Sequence, residues 1–233
     1  VSYKTFIEQV NINQNRLDSR YISHFGSDSL FDKVARILCQ NDIISKKEFA
    51  ESVAVVKILQ RFIKTDNRIH VYDICAGHGL TGILLTILSA GIEKTSIVDL
   101  KKPQSHDKMM NSLSKLIPEL PEKIEFIQQN FEQISYKQNA FLIGVHACAT
   151  RTDHIMELGF KTSARIALLP CCYKKTILPH NYKKFLPYYT LKDTVDFYRI
   201  QKAYARNYQV YLRNIHEKIT PMNKLFILFP ESF

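Results

Sequence analysis

Tryptophan is absent from this 233-residue chain, glycine occurs only 7 times and cysteine 5 times. So little glycine excludes a collagen-like or glycine-rich repeat, and no internal repeat or low-complexity tract is visible. The cysteines, at positions 39, 75, 148, 171 and 172, are odd in number and not spaced like a disulfide framework. No disulfide partner is expected, and a reducing, cytoplasmic compartment is the simpler reading. No apolar run approaches the roughly 20 residues of a membrane helix. No membrane association is expected, and the first residues carry no signal-peptide pattern. Acidic residues are the scarcer charge, 22 Asp and Glu against 32 Lys and Arg. The deficit is local. Residues 172–233 hold 11 basic and 4 acidic side chains, whereas residues 66–171 hold 11 of each. A polyanion such as RNA is a reasonable partner for that last quarter; a solvated basic surface is the plain alternative.

The hydrophobic fraction of 45% and charged fraction of 23% suffice for one sizeable core. Residues 1–65 read as a helical N-terminal extension. Ser27 or Asp28 is the expected N-cap of a helix carrying Leu30, Phe31, Val34, Ile37 and Leu38. Ser45 with Glu48 forms a capping-box pattern before a second helix. From residue 66 to 233 strand and helix patterns alternate. Strands are expected at 69–74, 94–100, 123–131, 141–147 and 164–169, and helices at 80–89, 106–117, 152–159 (closed by Gly159) and 190–206. The apolar runs 208–216 and 223–229 are separated by too few residues for a helical crossover, so they should pair antiparallel. The expected fold class is α/β: a Rossmann-like, mostly parallel seven-stranded sheet with a C-terminal antiparallel hairpin and the N-terminal helical extension.

The segment Arg68–Leu88 organises the rest. A buried strand ends in the turn Gly77-His78-Gly79-Leu80-Thr81-Gly82, which opens a helix. Such a turn lets backbone N–H groups and a helix N-terminus approach a ligand. Asp73 lies at the strand end, and Asp99 follows Gly79 by twenty residues, a spacing that suits hydrogen bonds to a ribose. A nicotinamide-dependent oxidoreductase would use the same loop. The stretch Asp73-Ile74-Cys75-Ala76-Gly77-His78-Gly79, however, resembles the first motif of class I S-adenosylmethionine-dependent methyltransferases, with Cys75 in place of the first glycine. The antiparallel hairpin resembles their architecture too. The resemblance implies S-adenosylmethionine as cofactor, with Asp73 near its methionine part and the loop residues Cys75, Gly77 and Gly79 among those that bind it. It also implies Asp99 at the ribose hydroxyls, Leu100 among the cofactor-binding residues, and Asn130 and Phe131 near the adenine. With Cys75 at a glycine position, a slightly altered turn is expected.

Two further motifs lie at the ends of the fourth and fifth strands, where active groups gather in a parallel sheet. They are His146-Ala147-Cys148-Ala149 followed by Thr152-Asp153, and Pro170-Cys171-Cys172-Tyr173. The pair resembles a methyltransferase-domain family that includes the C-terminal part of a glutathione S-transferase-like protein and, more distantly, a tRNA ribose 2′-O-methyltransferase. Ala149 replaces the glycine usual in that family. The candidate catalytic residues are His146, Cys148, Cys171, Cys172 and Tyr173. His146 could act as general base for a hydroxyl acceptor. A cysteine could attack a pyrimidine ring. The cluster could bind zinc, although adjacent cysteines suit one ion poorly, and no metal is assigned. Or these are small, soft residues packed under the cofactor. Lys174, Lys175, Lys183 and Lys184, interleaved with tyrosines and Phe185, are the candidate substrate-binding residues, because lysines neutralise phosphates and aromatics stack unpaired bases. The reading is a methyltransferase with an RNA acceptor, at a ribose hydroxyl or a base; a protein or small-molecule acceptor is the alternative.

Overall fold

The computed structural model describes residues 2–63, 68–148 and 150–231. The expected boundary at 65/66 and the substituted Ala149 lie outside the described residues. The strands are β1 Ile69–Ile74, β2 Ile92–Asp99, β3 Ile124–Gln128, β4 Phe141–Val145, β5 Arg165–Leu169, β6 Tyr208–Asn214 and β7 Lys224–Pro230. They form one sheet in the order β3-β2-β1-β4-β5-β7-β6. The first five are mutually parallel where they pair, and β7 runs antiparallel to both β5 and β6. The helices are α1 Ser2–Gln9, α2 Leu30–Asn41, α3 Lys46–Leu59, α4 Leu80–Leu88, α5 Gln104–Leu113, α6 Leu120–Lys123, α7 Arg151–Thr162, α8 His180–Lys183 and α9 Leu191–Tyr204.

Every residue of β1 is buried, as a central parallel strand covered on both faces requires. Alternate side chains then serve two cores. Ile69 and Val71 pack with α4 and, beyond it, with α3 through Phe49, Val53 and Val56; Tyr72 and Ile74 face Leu142, Ile155, Ile166 and Phe226 on the other side. Asp73 shares the parity of Val71 and so turns toward α4 and α3. The N-terminal helices are therefore a cover over one face of the sheet. Phe6, Phe25 and Phe49 form an aromatic wedge within that cover, and the Tyr3 hydroxyl donates to the Ala50 carbonyl at 2.6 Å.

Several local expectations are corrected. The N-cap of α2 is Ser29, whose hydroxyl accepts from the Asp32 N–H, while the Ser27 N–H donates to the Asp32 carboxylate. Ser45 and Glu48 do make the reciprocal capping box of α3. Helix α5 begins at Gln104 and ends at Leu113, short of the expected span. Strand β3 stops at Gln128, because Asn130 caps a short 3-10 turn by accepting from the Glu132 N–H. Strand β4 stops at Val145; His146 has φ 58°, which turns the chain out of the sheet. Gly159 does not end α7, which continues to Thr162 and closes at Ser163 with φ 51°. Its reason is steric: a Cβ at Gly159 would lie 2.3 Å from Ile166, so glycine lets α7 lie close on β5.

Candidate active site

The carboxyl ends of β1, β2, β4 and β5 open on one edge of the sheet, and each delivers part of the site. At β1, Asp73 is 2% exposed and its Oδ2 accepts from the Gly82 N–H at 2.8 Å. Burial, and next to it the charge of Asp99, push its carboxyl up to about 7, against the pull of that hydrogen bond. At β2, Asp99 accepts twice from backbone: Oδ2 from the Gly77 N–H at 2.8 Å and Oδ1 from the Leu100 N–H at 2.7 Å. Each acid is thus fixed by the loop it faces. A carboxylate oxygen has a second lone pair, so Asp99 can still receive hydroxyl groups.

The turn itself is tightly constrained. Gly79 has φ 79°, and a Cβ there would lie 2.6 Å from Ile97; one on Gly82 would lie 2.7 Å from Ile97 and 3.0 Å from the Asp73 carboxylate. Cys75 takes φ 57°. It adopts the left-handed conformation that a glycine would supply at that position, at the steric cost a Cβ brings. The altered turn expected from this substitution is therefore absorbed by Cys75 itself. Its thiol is pushed up to about 11 by burial, so it remains protonated at neutral pH.

Two cavities meet at Cys75 and His146. A cleft of about 480 Å³ is walled by Asp99, Leu100, Asn130, Phe131, Cys148 and Arg151, among others. A second cavity of about 220 Å³ is walled by Glu48, Glu51, Ser52, Asp73, Gly77 and Thr81. The first holds the residues assigned to the nucleoside, the second holds Asp73, assigned to the methionine end, together with Gly77. All the expected cofactor residues except Gly79 line one or the other, and Gly79 shapes the turn between them. The fit to an elongated nucleoside-amino-acid cofactor is good. The acids are oriented by backbone N–H groups, and exposed Leu100 supplies an apolar lip beside Asp99.

His146 stands at the junction. Its Nε2 lies 2.9 Å from Glu51 Oε2, a close polar contact without the alignment of a hydrogen bond. Sequence reasoning missed Glu51. It comes from α3, where Glu48, Glu51 and Ser52 share one face, but nothing along the chain states that this face meets the ends of β1 and β4. Cys148 and Cys171 are brought together, with sulfurs 2.9 Å apart, and Cys172 follows at 3.5 Å from Cys171. Burial and the two neighbouring thiols hold the Cys171 thiol well above its ordinary range.

Tyr173 is not brought to the cleft. Its ring lies under the Arg199 guanidinium, and burial together with the Asp196 charge keeps its phenol protonated. Arg199, 1% exposed, makes a two-pronged bond to Asp153 at 3.0 and 2.8 Å. Thr152 bonds the Ala147 carbonyl at 2.5 Å. The Thr152-Asp153 part of the motif is thus structural: it holds the turn after β4 and ties α7 to α9. Lys174, Lys175, Lys183 and Lys184 are all exposed, on the segment that leaves β5 beyond the cysteines.

Comparison with known proteins agrees with this geometry. Residues 46–177, more than half of the chain, match the model of a family described as Methyltransferase domain. The match starts at α3, the helix that carries Glu51. The human glutathione S-transferase C-terminal domain-containing protein is 34% identical over 106 residues, which cover 44% of this chain and 15% of that protein. Its Xenopus laevis counterpart is 33% identical over 105 residues, covering 44% and 16%. The matched region thus spans about a sixth or less of the length of these curated relatives. Among solved structures, a geranyl diphosphate methyltransferase in complex with SAM superposes with a TM-score of 0.53 at 7% identity, covering 96% of this chain and 100% of that one. A ribosomal protein L11 methylase from Lactobacillus delbrueckii subsp. bulgaricus gives 0.51 at 8% identity, covering 78% and 80%. Such likenesses speak for the fold. Among the described residues no helix is long and apolar enough to cross a membrane. With the family match, the strand order and the acid-and-glycine loop in agreement, the nicotinamide alternative falls away: the chain belongs to the methyltransferase-domain family and has the class I, S-adenosylmethionine-dependent fold.

Proposed function

We propose that this domain methylates RNA, at a ribose hydroxyl or a base. S-adenosylmethionine, bound across the two cavities, supplies an electrophilic methyl group carried on a sulfonium. The chain's own task is to align donor and acceptor and to remove the acceptor's proton. Asp99 and Leu100 hold the nucleoside end, and Asp73, Gly77 and Ser52 surround the methionine end. His146 is the proton acceptor for a hydroxyl. With Glu51 beside Nε2, the other ring nitrogen is the one open to the acceptor's proton.

The observation that carries the RNA acceptor is the segment after β5. Phe185, Tyr188 and Tyr189 are 44%, 81% and 61% exposed. They stand among exposed Lys183 and Lys184. A largely apolar slot of about 430 Å³ runs between Phe185, Tyr189 and Phe197. Exposed rings beside lysines suit unstacked bases on a phosphate backbone. The test is transfer from methyl-labelled donor to total RNA, with protein and small-molecule extracts alongside. Label in RNA is expected, lost in His146→Ala. Label only in protein or small molecules rejects the RNA acceptor and keeps the enzyme.

A further inference from the structure

The cysteine cluster has chemistry that methyl transfer does not use. In sequence, adjacent Cys171 and Cys172 offer poor geometry for one ion. The fold changes that by adding a third thiol from the end of the neighbouring strand. Cys148 lies beyond β4 and Cys171 beyond β5, and the parallel pairing of β4 with β5 sets these two ends side by side, with the His146 N–H donating to the Leu169 carbonyl at 3.0 Å. The three sulfurs all lie within 4.8 Å of one another, at 2.9 Å between Cys148 and Cys171 and 3.5 Å between Cys171 and Cys172. Sulfurs on a tetrahedral zinc, with bonds of about 2.3 Å, stand about 3.8 Å apart. Two of the distances fall short of that value and all three stay within 4.8 Å, so small rotations of side chains would bring all three onto one ion. The residue type is selective as well. Three thiols without a carboxylate or carbonyl among them favour a soft, thiophilic ion over magnesium or calcium.

We propose that Cys148, Cys171 and Cys172 form a three-thiolate site for a thiophilic d10 cation, Zn²⁺ or Cu⁺, at the rim of the donor cleft. Cys148 belongs to both the cluster and the cleft wall. Three protein ligands with a vacant fourth position is the composition of a catalytic rather than a purely structural zinc site. Binding exchanges three thiol protons for the cation, so no oxidant or reductant is needed. The proposal rests on the thiols alone and is independent of the RNA acceptor.

The test uses the full chain, purified with reductant and stripped by chelator. Zn²⁺ and Cu⁺ are titrated separately in competition with a chromogenic chelator. Co²⁺ is then used as a spectroscopic probe, because sulfur-to-cobalt charge transfer reports the number of thiolates. One equivalent of Zn²⁺ or Cu⁺ is expected. Each of Cys148→Ser, Cys171→Ser and Cys172→Ser should weaken it by about 100-fold or more, beyond the 10–100-fold typical of losing a residue that merely supports a ligand. Cys39→Ser, on α2 in the N-terminal cover and outside both the cluster and the cleft, should bind the ion unchanged. Circular dichroism of each variant separates lost ligation from lost folding. Which ion binds more tightly distinguishes a tetrahedral site with an open position from a trigonal one; either upholds the proposal. Binding of neither ion by the folded protein, or equal binding by the folded serine variants, overturns it. So does conversion of Cys148 and Cys171 to a disulfide in the presence of both reductant and metal.

Discussion

The two halves of the site are built on different principles. At the ends of β1 and β2, two acids are fixed by backbone: Asp73 by the Gly82 N–H and Asp99 by the N–H groups of Gly77 and Leu100. At the ends of β4 and β5, side chains are fixed by other side chains: His146 by Glu51, Cys148 by Cys171, and the following turn by Asp153 with Arg199. In the reading proposed above the first half holds a cofactor whose shape is constant, and a rigid collar of main-chain donors suits it. The second, which that reading turns toward the acceptor, depends on helices that lie far away in sequence, α3 at one side and α9 at the other. Its residues divide into those that wall the cleft and those that keep the wall upright, although one motif contains both.

The largest effect should come from that supporting set. Asp153→Ala leaves the Arg199 guanidinium buried beside only the more distant Asp196, at 4.0 Å. Breaking one partner of a buried pair costs about 3–5 kcal/mol. Urea unfolding should show that loss. Donor affinity, measured by calorimetry where the variant is still folded, should fall far less than in Asp99→Ala. A large loss of affinity at unchanged stability would move Asp153 into the cleft's machinery.

The collar makes a prediction in pH. The Asp73 carboxyl is raised from an ordinary value of 3.8 to about 7 in the folded chain. A group whose folded pKa is raised binds its proton more tightly when folded. Its stabilising contribution is therefore full below about 4 and is lost as pH rises through about 7. Asp73→Asn keeps an acceptor for the Gly82 N–H but cannot titrate. In the donor-free protein it should flatten the fall of stability between pH 4 and 7. Parallel stability-versus-pH curves for the two proteins would mean that Asp73 is ionised throughout. The methionine end carries an ammonium group, so donor affinity of the native chain should rise with pH over the same interval.

Asp99→Ala should act on binding rather than on folding. The acid is at the rim, and its carboxylate bonds the Gly77 N–H of the turn after β1 and the N–H of its own neighbour Leu100. Hydrogen bonds to a charged group are worth about 1.5–3 kcal/mol, so donor affinity should drop roughly 10- to 150-fold by calorimetry. An unchanged affinity would remove Asp99 from the nucleoside site.

This contrast also separates what could be read in the chain from what could not. Asp73, Gly77, Gly79 and Asp99 were legible because the β1-turn-α4-β2 unit is local: spacing along the chain translates directly into spacing at one sheet edge. The seven-strand architecture followed from the alternation of apolar segments and the short connection around Pro221. Glu51 was not legible, because its place depends on how α3 packs across α4, and no local pattern states that. Tyr173 and Asp153 were adjacent to reactive-looking residues, yet burial of Arg199 draws both into a support. Gly159 looked like a helix end, since glycine often is one; close packing on Ile166 overrode that propensity. Cys75 could be recognised as a departure, but only φ 57° shows that the backbone kept the turn.

The smallest expected effects lie on the acceptor side, where they discriminate best. Lys174, Lys175, Lys183 and Lys184 are exposed and individually replaceable without loss of core contacts. If they neutralise phosphates of a single-stranded RNA, each Lys→Ala variant should weaken RNA binding only a few-fold. It should do so evenly across sequences, because phosphate contacts carry no base information. The diagnostic is salt. The slope of log affinity against log salt should become less negative by about 0.7 for each phosphate contact removed. Lys161 is the internal control. It is equally exposed, but it lies near the end of α7, beside the start of β5 and so at the opposite edge of the sheet from the cleft. Lys161→Ala should leave the slope unchanged. If Lys161→Ala and Lys183→Ala shift it alike, RNA is attracted by the net charge of +10 rather than by a surface beside the cleft, and the exposed rings of Phe185, Tyr188 and Tyr189 lose their assigned partner.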